Sequence, residues 1–210
     1  AASKTENIET REAVADMAGL SARIVDVEAF AINNAFELVR KRDAIPDSAV
    51  LAVLDIGDVR SSLNVLRGDR SIYYREHPFG GRELLEETMR RYGLDSEQAQ
   101  FWKRGEEPPA GFEDEVLEPY RQSVIQQIGR ALQFYSSSRE YSSVERLYLS
   151  GGGASADGLV DAVANELGMV AELADPLKNL KLSPRVNANQ LDAIRPSLVT
   201  ACGLALRGVE

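Results

Sequence analysis

The stretch Ala49–Asp58, AVLAVLDIGD, decides the fold. Six consecutive apolar residues, 49–54, are too few for a helix here and read as a strand buried on both faces. The run stops at Asp55-Ile56-Gly57-Asp58. Downstream, Ser62–Arg67 alternates as a second strand, Gly68-Asp69 makes a hairpin turn, and Ser71–His77 gives a third strand. These three form an antiparallel meander.

Beyond it, Gly80-Gly81 opens a helix over 82–92, stopped by Gly93. Asp95 and Gln98 make a capping box for a helix running through Lys103. Six acids between 106 and 118 precede a long helix ending near Ser136, with Pro119 at its start or at a kink. Val144–Ser150 is a strand that runs into Gly151-Gly152-Gly153 and a helix from about 157 to 167. A short strand, 169–173, and a final helix from Pro196 to Arg207 complete this half. Upstream of Ala49, residues 5–18 read as an amphipathic helix, 20–27 as a short strand and 28–42 as a helix closed by Arg40-Lys41-Arg42. The order from 49 onward is β-β-β-α, a helical insert, then β-α-β-α. It predicts an α/β lobe with a mixed five-stranded sheet covered by helices, the ribonuclease-H-like layout found twice in actin-like ATPases.

Composition excludes several classes. With 210 residues, 44% apolar, the chain can build a core. Thirty-three acids against 24 bases give a net charge of −9, which argues against nucleic acid as a partner. One cysteine, Cys202, cannot form an internal disulfide, and no 18-residue apolar run supports membrane insertion. His77 is the only histidine and has no partner for a metal site. The chain opens on Ala1 with no signal-peptide core, as expected of a piece that begins within a longer protein.

Two segments could carry chemistry. At Asp55-Ile56-Gly57 with Ser61 and Ser62, a strand delivers a carboxylate beside a glycine turn and two hydroxyls. Such a hairpin can offer N–H groups to phosphates while the acid orients water or hydrated magnesium. A plain β-turn with a solvated aspartate also satisfies it. At Gly151-Gly152-Gly153 with Ala154, bare backbone between strand and helix could carry a flat ring, or could serve as a tightly packed turn.

The order of these motifs resembles the PilM family of type IV pilus assembly proteins, relatives of the cell-division ATPase FtsA. The resemblance lies in VDVEAFAINNAFEL (25–38), the run from LDIGDVRSSLNVLRGD to WK (54–103), EVLEPYRQSVIQQIGRALQFY (115–135), LYLSGGGAS (147–155) and SLVTACGLALR (197–207). It implies a cytoplasmic, ATP-binding actin-fold scaffold, peripheral at the inner membrane. Its implied partners are the cytoplasmic N-terminal tail of PilN and other platform or motor proteins. Asp55, Gly57, Ser61 and Ser62 would face the phosphates, with Asp55 also facing Mg2+. Gly151, Gly152, Gly153 and Ala154 would face adenosine, and Lys103 the ribose or base edge.

The family pattern departs at Asp58-Val59-Arg60, where small and hydroxyl residues are usual. A second carboxylate there repels phosphate unless Arg60 offsets it. On the same resemblance, residues 1–45 are the tail of a first lobe with the crossover, and 46–210 a second lobe with an insert at about 93–143. The first lobe would carry the other phosphate loop, so this chain alone holds half a cleft and no ATP turnover is expected of it. Apolar surface of the final helix and of residues 1–40, exposed without the first lobe, would favour a homodimer. The rival readings are a nucleotide-independent scaffold of the same machine and a small-molecule kinase of the actin and sugar-kinase superfamily.

Overall fold

A computed structural model describes residues 3–101, 106–137 and 142–208. Its centre is a five-stranded sheet in the order β3-β2-β1-β4-β5, with β1 Val50–Ile56, β2 Ser61–Arg67, β3 Arg70–His77, β4 Arg146–Ser150 and β5 Val170–Leu173. The β1–β2–β3 meander is antiparallel, and β1–β4 and β4–β5 pair in parallel. This is the mixed sheet that the element order predicts.

The apolar run on β1 fills two cores, since successive side chains point to opposite faces. Ala52, Leu54 and Ile56 join Leu63, Val65, Leu147 and Leu149 beneath one helical layer. That layer holds α3 (Arg82–Tyr92), α4 (Glu118–Ser136) and α5 (Leu159–Leu167). Leu51 and Val53 face the opposite way, with Leu66 and Tyr148 against Ile32, Phe36 and Val199. Those partners belong to α2 (Glu28–Arg42) and α7 (Val199–Leu206); the short α6 (Ala188–Ile194) precedes α7. Each fully buried side chain of this size contributes roughly 1.5–3 kcal/mol. Helices α2 and α7 meet at Gly203, where a Cβ would overlap the carbonyl of Ala31. Buried Arg40 locks α2 to the sheet by donating to the carbonyl oxygens of Pro46 (2.9 Å), Ala49 (3.0 Å) and Leu66 (3.3 Å).

The cap at the start of the insert forms as expected on a 3-10 turn, Gln98–Gln100, and the end of the expected helix, at Lys103, lies outside the described residues. Asp95 and Gln98 form the reciprocal box, the Gln98 side chain accepting from the Asp95 N–H at 3.0 Å and the Asp95 carboxylate from the Gln98 N–H at 2.8 Å. Pro119 is the second residue of α4, and a π-helical turn, Glu113–Leu117, leads into the helix, with the Glu118 N–H donating to the Glu113 carbonyl.

Two local expectations are corrected. Residues 20–27 form no strand, since the sheet ends at β3 and β5 and offers them no partner. The helix at the start, α1 (Thr5–Met17), buries none of its residues, so its spacing is not read out by packing. Val14, Met17, Leu20, Ile24, Val25 and Phe30 are all exposed.

Candidate functional site

The parallel pair β1–β4 ends where open α/β sheets place ligands, at the carboxyl ends of the strands. Asp55 and Ser150 face one another there in register, with Ser62 opposite Asp55 on β2. All three point to the α2 side of the sheet. The Ser150 hydroxyl donates to Asp55 Oδ1 at 3.0 Å. The Ser62 hydroxyl donates to Glu28 Oε1 at 2.9 Å, which brings the first residue of α2 into the group. Burial raises the pKa of Asp55; the Ser150 bond opposes this, and the Glu28 charge adds to it. Burial and then Glu28 push the phenol of Tyr74 up to about 12, so it remains a proton donor at neutral pH.

Across the strand ends, on the α3 side, lies a mainly apolar cleft of about 440 Å³. Its floor is Gly57 and Asp58 from the β1–β2 hairpin, one wall is Leu84 and Leu85 of α3 with Phe112 and Leu117, and the other is Gly152, Gly153 and Ser155–Asp157. The volume lies within the usual range for small-molecule sites. The backbones of the hairpin, the α3 start and the glycine loop come into close contact. The Gly81 N–H donates to the Gly57 carbonyl at 2.8 Å, and a Cβ on Gly81 would come within 3.3 Å of Gly153 Cα.

The three glycines divide their work. A Cβ on Gly151 would overlap the Asp55 carboxylate and the Ile56 carbonyl, and one on Gly153 would overlap the Ile56 side chain. Gly152 has open space where its Cβ would be and is exposed to the cleft. So the acidic bend and the triple glycine share one rim. Asp55 and Ser62 lie on the α2 side of it and Gly57, Gly152 and Gly153 in the cleft. Ser61 is not turned outward: it is buried, and its hydroxyl donates to the Phe79 carbonyl at 2.8 Å. Ala154 is packed into the core under the loop. Lys103 lies outside the described residues. Arg60 pairs with Glu76 at 3.4 Å and does not offset Asp58; Arg82, at the start of α3, pairs with Asp58 instead.

Sequence reasoning passed over Glu28, and Ser150 stood in the stretch that carries the triple glycine without a role of its own. Glu28 had a readable signal, an acid in the first turn of a helix with an apolar stripe. Among the described residues no three His, Cys, Asp or Glu side chains group to hold a metal. Asp55 with Glu28 nevertheless suits hydrated Mg2+, which takes one or two carboxylates and completes its shell with water and substrate phosphate. No helix among the described residues is long and apolar enough to cross a membrane.

A family model for the type IV pilus assembly protein PilM matches residues 1–209. Among solved structures the chain is similar to one in the PilM-PilN type IV pilus biogenesis complex, with 33% identity and a TM-score of 0.76 over 95% of this chain and 59% of that one. It is also similar to the ethanolamine utilization protein EutJ from Carboxydothermus hydrogenoformans (20% identity, TM-score 0.62, 95% of this chain and 61% of that one). The archaeal actin homologue Ta0583, in its complex with ADP, matches at 13% identity and TM-score 0.59 over 85% of this chain and 55% of that one. The last two likenesses establish an actin-like fold. The chain thus spans about three fifths of the length of these proteins.

Proposed function

Because the chain belongs to the PilM family of type IV pilus assembly proteins, we propose that it contributes one side of an ATP and Mg2+ site to an actin-fold scaffold of the pilus machine. The observation that carries this reading is the joint rim, where a partly buried carboxylate and an unobstructed Gly152 flank the ends of β1 and β4. Asp55 orients water or hydrated metal on the α2 side, held in place by Ser150. Gly57 and its hairpin approach the phosphates through backbone. Gly152 and Gly153 give a flat ring a bare surface, with Leu84, Leu85 and Leu117 excluding water from its other side. When bound, Mg2+ would share the phosphate charge with Asp55.

Residues 1–45, on this reading, are the tail of a first lobe and the crossover, and 46–210 are the second lobe. The apolar side chains exposed along 14–30 pack against that first lobe. ATP would shift the population of lobe arrangements rather than be turned over quickly, and so set the geometry of partner surfaces. The partners proposed are the PilN tail and other platform proteins, with the protein held peripherally at the inner membrane. Titration of the full-length protein with ATP, with and without Mg2+, tests this. Saturable binding that weakens without the metal is expected; no saturable binding at millimolar ATP defeats it.

One observation favours a nucleotide-independent scaffold, namely Asp58 in the cleft floor. Its pairing with Arg82 answers that objection in part, since the arginine cancels the charge that would meet a phosphate. Asp58→Asn should therefore tighten ATP binding about three- to tenfold, by removing the carboxylate and freeing Arg82, a modest gain because both groups are half exposed to screening solvent. Calorimetric titration reads it, and an affinity unchanged or weakened in the variant would show that Asp58 does not oppose the nucleotide.

A further inference from the structure

Arginines are seldom buried unless they are paired. Arg121, in the first turns of α4, is 8% exposed. Its Nε donates to the carbonyl oxygen of Asp157 at 2.7 Å. Its Nη1 donates to Glu113 in the π-helical turn and, at 3.2 Å, to Glu118. Its Nη2 lies 2.8 Å from where a Cβ on Gly158 would stand. Gly158 has φ of +65°, so both the backbone and the guanidinium require glycine there.

These contacts join the two walls of the cleft. Phe112 precedes and Leu117 ends the turn that holds Glu113, while Ala156 and Asp157 end the glycine loop. Arg121 itself does not line the cleft. A π-helical turn places one extra residue in its coil and re-aims the side chains around it, a device frequent at functional sites. Here it is tied by its first residue to the loop opposite.

We propose that Arg121 is a positioning residue that fixes the width of the slot for a flat ring, holding the insert wall and the glycine-loop wall at one separation. This rests on the nucleotide reading given above. A slot of set width favours the ring because the walls lose no freedom when it enters. The phosphate end, at the Gly57 hairpin and Asp55, does not depend on Arg121. Loss of the strut therefore weakens ring binding and spares phosphate binding.

The test uses the full-length protein carrying Arg121→Gln, and a milder second variant, Glu113→Gln, which leaves the buried arginine with its other partners. ATP and inorganic tripolyphosphate are titrated with Mg2+, and amide hydrogen exchange is followed over 112–117 and 152–158. For Arg121→Gln, ATP affinity should fall at least about tenfold while tripolyphosphate stays within about twofold. Exchange should rise in both segments together. Glu113→Gln should move each readout the same way by less. If ATP and tripolyphosphate weaken equally, or ATP affinity holds in both variants, the proposal is overturned. If the wild-type protein binds no nucleotide, the reading of the cleft fails first and the proposal with it. Binding by the wild type with parallel losses in the variants defeats the proposal alone.

Discussion

Gly151→Ala should destabilise the protein by about 3 kcal/mol or more, whereas Gly152→Val should leave stability within about 0.5 kcal/mol and abolish ATP binding. The two residues are adjacent, yet their surroundings are opposite. Gly151 has φ of +86° and ψ of 168°, a backbone region essentially confined to glycine. Its N–H donates to the Pro196 carbonyl at 2.9 Å, so the loop cannot swing away. An added Cβ runs into the Asp55 carboxylate and the Ile56 backbone, and Ile56 closes the central strand of the sheet. Strain and overlap therefore add. Gly152 has a normal φ and nothing within 4 Å of an added Cβ, so a side chain there meets only the cleft. A valine would stand where the ring is proposed to lie, and an affinity loss of at least about a hundredfold follows. Thermal melting and ATP titration of the two variants separate the roles. Wild-type stability in Gly151→Ala would refute the packing account; normal ATP binding by Gly152→Val would refute the ring position.

What the sequence revealed, and what it hid, follows from the range of each interaction. The β1–β2–β3 meander was legible because its signals are local: an unbroken apolar run, alternation, and a Gly-Asp turn. So were Gly81, Gly93 and the Asp95–Gln98 box, each decided within four residues. The strand expected at 20–27 failed because a strand needs a neighbour, and alternation does not reveal whether one is present. The triple glycine was legible as a loop, but two readings stayed open. In the structure the three differ by position, Gly151 and Gly153 leaving no room for a side chain and Gly152 facing open space. Ser61 and Ser62 look alike in sequence. Period-two alternation alone turns Ser61 to the Phe79 carbonyl and Ser62 to Glu28. Glu28 and Arg121 join the site or its support through partners 34 and 36 residues away, beyond any local pattern.

Asp55→Asn is expected to raise the melting temperature of the nucleotide-free protein at neutral pH and to abolish stabilisation by ATP and Mg2+. The free protein surrounds this carboxylate with little that favours ionisation. Burial raises its pKa, Ser150 only partly opposes this, and Glu28 adds repulsion. A carboxylate whose folded pKa is raised holds its proton more tightly when folded. Its contribution to stability is fully present below the unfolded pKa and is lost as pH rises through the folded one. At neutral pH the wild type therefore carries the cost of a partly buried negative charge. Asparagine removes that charge and keeps an oxygen to accept from Ser150. Each kcal/mol recovered should lift the melting temperature by about 2–4 °C. The advantage should shrink as pH falls through the carboxylate range, where the wild type becomes protonated as well. With ATP and Mg2+ the order inverts, because the same charge now has a counter-ion and only the wild type is stabilised. Melting temperatures of both proteins between pH 4 and 8, with and without the ligand, read this directly. Parallel curves across pH would show that Asp55 is not strained by its charge, and equal stabilisation by ATP and Mg2+ would remove it from the proposed site.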